Sequence, residues 1–203
     1  MPGFDSIFFD FDGVLADSEP VHCATWAEVL KPLGVTLEWE PYRERYIGID
    51  DRDMLRMLAE EARPAKNWED LWAQYPRKRE LYRSRMLAAP PIVSTLADLL
   101  RSLDGRYRMA VVSSTARADI EPVLVTAGLR PFFQTVIGGD DVSNQKPHPE
   151  PYLLAARRLG SASALVLEDS EAGMASARAA GCEVIRVGHP REVPDLLARR
   201  CTL

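Results

Sequence analysis

The sequence predicts an α/β protein whose core is a doubly wound parallel sheet, with an all-helical module inserted after the first strand. Three observations lead there. A short aromatic and β-branched run, 6–11, opens the chain and stops at Asp12-Gly13, as a buried strand does. Between 17 and 88 the apolar residues recur at helical offsets, with no convincing strand. Beyond Pro90-Pro91, strand and helix patterns alternate, which is how parallel strands joined by crossover helices read.

The elements follow in order. Helical patterning begins at Ser18, with Pro20 near the start and Val21, Trp26, Val29 and Leu30 on the apolar side, and closes at Leu33-Gly34. Asp50 is placed to cap a helix over 51–62 that turns Met54, Leu55, Met57 and Leu58 inward. A third stretch runs from about 67 to 88, with a break expected at Pro76. After the proline pair, helix 93–103 precedes strand 107–112, and helix 118–127 precedes strand 134–137. Helix 150–159 precedes strand 164–167, and helix 171–180 precedes strand 183–187. Gly128, Gly160 and Gly181 stand where these helices end, a position that favours glycine. The expected domains are an α/β core of residues 1–16 and 89–203 and a helical module of residues 17–88.

Composition narrows the function classes. At 203 residues, 46% hydrophobic and 27% charged, the chain suits one globular core with a modest insertion. A net charge of −5 argues against nucleic acid or an anionic membrane as partner, since phosphate backbones select basic surfaces. Cys23, Cys182 and Cys201 are odd in number and far apart, which points to a reduced, cytoplasmic protein with buried or incidental thiols. His22, His148 and His189 form no HxxxH or HExxH pair, so a zinc enzyme is not expected. The first apolar run is too short to span a bilayer and is interrupted by Asp10; neither signal peptide nor anchor is expected, and a monomer is the default.

In a sheet of this kind ligands bind at the C-terminal ends of the strands. Those ends carry Asp10-Phe-Asp12-Gly13, then Ser113-Ser114-Thr115, then Lys146 shortly after the third strand, then Glu168-Asp169. An aspartate at a strand end is often only a turn former or helix cap, and a lone lysine is ordinarily solvated. The ordered set is another matter. Carboxylates crowded at one apolar edge repel each other and resist desolvation, so they call for a cation, and an all-oxygen cluster suits Mg²⁺. With a lysine and a hydroxyl added, the edge becomes a place for a phosphoryl group.

These residues resemble the signatures of the haloacid dehalogenase superfamily. Asp10-Phe-Asp12-Gly-Val-Leu-Ala-Asp-Ser-Glu-Pro is similar to its first motif, Ser113 to its second, Lys146-Pro-His-Pro to its third and Glu168-Asp-Ser-Glu-Ala-Gly173 to its fourth. The helical insertion resembles that of the β-phosphoglucomutase and phosphoglycolate phosphatase branch. The resemblance implies a Rossmann-like core with the insertion as a cap, and a small phosphorylated metabolite, such as a sugar phosphate, as substrate. It implies Asp10 as nucleophile and Asp12 as general acid and base. Magnesium would bind Asp10, Asp169 and the backbone carbonyl of Asp12, with Glu168 nearby. Ser113, Ser114 and Lys146 would contact the phosphoryl oxygens. An acid retained at Asp12 favours attack at phosphorus over the dehalogenase and phosphonatase chemistries.

The helical module carries the substrate candidates Gly48, Lys78, His22 and Arg52. His22 reads either as an ordinary helix histidine or as a hinge or substrate contact, and Trp26 as core. The run Arg77-Lys78-Arg79 is by default a solvated face. Lys78 is the exception, aligning with a β-phosphoglucomutase cap lysine that faces the site. Gly48 either lets its loop turn or approaches the ligand closely. Ile47 and Asp51 stand where that mutase has basic residues for a distal phosphate, a loss Arg52 offsets only in part. A phosphatase is therefore expected before a phosphomutase, and a non-catalytic binder of phosphorylated ligands after both.

Overall fold

In a computed structural model of the protein, which describes residues 3–201, the chain divides into two compact units. One is the N-terminal segment through Asp17 together with Pro90 onward; the other is Ser18–Ala89.

The first unit holds the strands β1 (Ser6–Phe9), β2 (Arg108–Val112), β3 (Thr135–Ile137), β4 (Ala164–Glu168) and β5 (Glu183–Arg186). Among the described residues they make a five-stranded sheet of order β3-β2-β1-β4-β5, with every neighbouring pair parallel. β1 and β4 are buried along their whole length, as central strands between two helical layers must be, which explains their unbroken rather than alternating apolar pattern. On one face Phe8, Val112, Ile137, Tyr152, Val166 and Ala177 form a continuous cluster. Burial of each large side chain there contributes about 1.5–3 kcal/mol.

The second unit is helical: α1 (Glu19–Leu30), α2 (Trp39–Arg45), α3 (Asp51–Glu61), α4 (Trp68–Trp72) and α5 (Tyr75–Ala88). It has its own core of Trp26, Leu30, Tyr42, Leu55 and Leu71. Asp50 caps α3, its carboxylate accepting from the Arg52 N–H at 2.9 Å. Returning to the first unit, α6 (Leu96–Leu103), α7 (Arg117–Thr126), α8 (Glu150–Leu159), α9 (Glu171–Ala179) and α10 (Val193–Ala198) complete the chain. Of the described helices, none is long and apolar enough to cross a membrane.

The α/β class is as expected from the sequence, with local differences. β1 ends at Phe9, so Asp10 stands just beyond the strand. Helix α2 was not anticipated, because Glu40-Pro41 reads as a breaker; Pro41 lies in the first turn, where no backbone donor is needed. For the same reason Pro76 starts α5 rather than breaking a longer helix, and the interruption falls at Ala73–Gln74. The six-residue α10 was too short to announce itself by periodicity.

Candidate active site

The winding of the sheet reverses at β1, with β2 on one side of it and β4 on the other. A reversal of this kind opens a crevice beyond the strand ends. Phe9 is level with Val111 on one neighbour and Leu167 on the other, which sets Asp10 beside Val112 and Glu168. The ladder extends past the strands: the Asp10 N–H donates to Leu167 O and the Ser113 N–H to Ile137 O, each at 3.0 Å. Sheet hydrogen bonding thus fixes the backbone under both residues.

Lys146 reaches this edge from the loop after β3. Its ammonium donates to Asp10 Oδ1 at 2.6 Å, Glu168 Oε1 at 2.5 Å and Val112 O at 2.9 Å. Those three bonds use its three protons. Lys146 therefore acts on its surroundings chiefly as a buried positive charge, and a direct bond to another oxygen would require exchange of one of these.

One lysine does not balance the carboxylates. Burial pushes Asp10 well above the ordinary carboxylate range; Lys146 pulls it back, and Glu168, Asp169 and Asp12 push it further up. Asp169 is raised to about 7, by burial first and the neighbouring Glu168 second. Lys146 is raised despite its burial, because Asp10 and Glu168 both favour its charged form. Asp10, Glu168 and Asp169 each offer a carboxylate oxygen, all within 4.8 Å of one another. Asp169 can lie there because residue 13 is glycine: at φ +73°, a Cβ would sit 2.1 Å from Asp169 Oδ2.

Glu168 is fully buried and already saturated. Oε1 accepts from Lys146 and from the Tyr152 hydroxyl at 2.8 Å. Oε2 accepts from the Asp169 N–H, the Ser170 N–H and the Ser170 hydroxyl at 3.1–3.2 Å. Gly173 makes room for it, since a Cβ there would meet Glu168 Oε1 at 1.8 Å. The donor set at Glu168 suits a fixed anion that orients Lys146, leaving Asp10 and Asp169 as the side chains better placed to serve a cation.

The loop after β2 divides the predicted hydroxyls. Ser113 is 3% exposed, and its Oγ accepts from the Thr115 N–H at 3.1 Å. Ser114 is exposed. Thr115, to which the sequence assigned no role, donates through Oγ1 to Asp12 Oδ2 at 2.8 Å. The only signal for it was a hydroxyl residue two positions after Ser113.

In the helical unit, His22, Lys78 and Asp51 come together. The Lys78 ammonium, 4% exposed, donates to His22 Nδ1 at 2.8 Å and Asp51 Oδ2 at 3.2 Å. Because an ammonium only donates, Nδ1 must accept, which makes His22 the Nε2–H tautomer. Trp26 is fully buried as expected, but its indole N–H also donates to Asp51 Oδ1 at 2.9 Å. Lys78 is thus withdrawn from the solvated face that Arg77 and Arg79 keep. Arg52 lies apart from this group, its guanidinium 4.7 Å from the Trp72 ring centre. Gly48 has φ +82° and open space around its Cβ position, so the turn is what requires glycine there.

The family model for haloacid dehalogenase-like hydrolases matches residues 7–187, and the chain belongs to that family. Fructose-1-phosphate phosphatase YqaB of Escherichia coli (strain K12) is 33% identical, over 91% of this chain and 96% of its own. A phosphorylated carbohydrates phosphatase of Thermotoga maritima is 30% identical, over 89% and 83%. Among solved structures, CbbY from Rhodobacter sphaeroides in complex with phosphate superposes with a TM-score of 0.68 and 27% identity, over 90% of this chain and 86% of that one.

Proposed function

We propose that this chain is a magnesium-dependent phosphatase of small phosphomonoesters, with sugar phosphates as the substrate class. The observation that carries the reading is Asp10 at the reversal point of the sheet, 2.6 Å from Lys146 and within 4.8 Å of the carboxylate group that includes Asp169. Two relatives are named as phosphatases of phosphorylated carbohydrates, which supports the substrate class.

A magnesium ion fits the residues. The donors are all oxygen, the carboxylates outnumber the one lysine, and burial holds Asp10 and Asp169 high until a cation offsets their repulsion. Asp10, Asp169 and the backbone carbonyl of Asp12 would hold it; when bound it neutralises phosphoryl charge and keeps Asp10 ionised. Asp10 attacks phosphorus, the bond to the ester oxygen breaks, and Asp12 passes its proton to that oxygen, releasing an alcohol. Asp12 then takes a proton from water as that water attacks phosphorus, the bond to Asp10 breaks, and inorganic phosphate leaves. Ser113 offers its hydroxyl to a phosphoryl oxygen, and Lys146 supplies fixed positive charge.

The test is phosphate release from a panel of phosphorylated metabolites, with and without Mg²⁺, alongside Asp10→Asn. Release that needs Mg²⁺ and vanishes in the variant is expected. Activity retained by Asp10→Asn would overturn the assignment, and an isomerised sugar phosphate in place of free phosphate would make the enzyme a phosphomutase.

A further inference from the structure

Asp12 must hold a defined orientation in both half-reactions, since it delivers a proton to one oxygen and later takes one from another. Its backbone is fixed by a bridge to Ala16 and by the Gly13 N–H, which donates to Ala16 O at 2.9 Å. These contacts do not set the rotation of its carboxylate. Thr115 does reach that carboxylate, and Thr115 is itself held on both sides. Its N–H donates to Ser113 Oγ at 3.1 Å, and its carbonyl accepts from the Gly139 N–H at 3.0 Å. Gly139 can approach this closely only for want of a side chain, since a Cβ there would lie 2.1 Å from Ser114 O. The β-branched side chain then has few rotamers with which to aim Oγ1.

We propose that Thr115 is a positioning residue for Asp12, its hydroxyl setting the carboxylate in the orientation that proton transfer to the ester oxygen requires. This rests on the reading of Asp12 as general acid and base. Thr115 need not touch the phosphoryl group; it acts through a hydrogen bond of 2.8 Å between two loops that the sheet brings side by side. The hydroxyl can donate to Oδ2 in either half-reaction, because a proton carried by Asp12 on Oδ1 leaves Oδ2 an acceptor. The same loop thereby divides its hydroxyls between two tasks, Ser113 toward the phosphoryl oxygens and Thr115 toward the proton carrier.

The experiment compares Thr115→Val, which keeps the shape and removes the hydroxyl, with Thr115→Ser, which keeps the hydroxyl. Each is assayed by kcat/KM on a sugar phosphate and on p-nitrophenyl phosphate. That ratio reports the steps up to loss of the leaving group, and only the sugar alkoxide needs a proton to leave. Thr115→Val should lose at least about tenfold more kcat/KM on the sugar phosphate than on p-nitrophenyl phosphate, mainly through kcat, and Thr115→Ser should recover most of it. An equal loss on both esters, or no loss on either, would overturn the positioning role even if the serine variant folds and melts like wild type. Failure of the underlying reading looks different, because Asp12→Asn would then lose no more on the sugar phosphate than on p-nitrophenyl phosphate.

Discussion

The Tyr152 hydroxyl donates to Glu168 Oε1 at 2.8 Å in the interior of the sheet unit, with the Lys146 ammonium 5.2 Å from the Tyr152 ring centre. Burial, then the charge of Glu168, hold the phenol well above its ordinary pKa, so it remains a donor. Tyr152→Phe removes this donor and leaves Glu168 one bond short. The unfolding free energy should fall by about 1–2 kcal/mol in urea titrations, as expected when a buried acceptor loses a partner. An unchanged midpoint would show that the bond contributes nothing to stability.

The crowded carboxylates predict how the protein responds to its cation. If Mg²⁺ relieves their repulsion, it should raise the melting temperature by several degrees at a hundredfold excess over its dissociation constant, equivalent to about 2.7 kcal/mol. Asp169→Asn removes one charge from the group and should melt higher than wild type without Mg²⁺, yet gain little on its addition. Scanning calorimetry with and without the ion decides this, and a full Mg²⁺ response in the variant would remove Asp169 from the ligand set.

The buried Lys78 and the partly exposed Asp51 make another charge pair, within the helical unit. Asp51→Ala leaves the ammonium without that carboxylate and takes the acceptor from Trp26, so a destabilisation of about 1–3 kcal/mol is expected. Adding Lys78→Met should recover part of it, because the stranded charge is then gone. A double-mutant cycle in denaturant, followed by tryptophan fluorescence, measures the coupling; additive losses would mean that the pair is not interacting.

A traceable source of acid stability lies just before β1, at the opposite end of that strand from Asp10. Burial raises Asp5, but the Ala162 N–H, the Ser6 and Ser161 hydroxyls and Arg108 outweigh it and hold the carboxyl at about 2, against an ordinary 3.8. A depressed folded-state pKa means that the unfolded chain takes up the proton first as pH falls. The stabilisation is present in full above about pH 4 and lost as pH drops toward 2. With the Asp5 side chain 37% exposed, solvent screening discounts the effect to about 1 kcal/mol. Asp5→Asn should flatten that part of the pH–stability curve; a curve parallel to wild type between pH 4 and 2 would refute the assignment.

Much of this was legible in the linear order of residues. The runs 6–11 and 164–167 read as strands because central parallel strands are apolar on both faces, and an aspartate interrupting such a run stands out. Asp10, Lys146 and Asp169 could be gathered at one edge before any coordinates, since the alternation of strands and helices leaves all strand C-termini on the same side. Helix α2 was hidden by Pro41, and α10 by its brevity, since periodicity needs length to show.

What the sequence by itself determined was the architecture and the identity of the charged groups. Both depend on local patterns: apolar spacing sets strand or helix, and strand order sets which ends meet. Only the tertiary structure decided how those groups share their hydrogen bonds. It turned Ser114 to solvent and Thr115 to Asp12, saturated Glu168 with donors from three parts of the chain, and buried Lys78 against Asp51. The physical reason is distance. Thr115 lies 103 positions from Asp12 and Lys146 lies 136 from Asp10, and a bond of under 3 Å between such residues follows from how loops pack over a finished sheet.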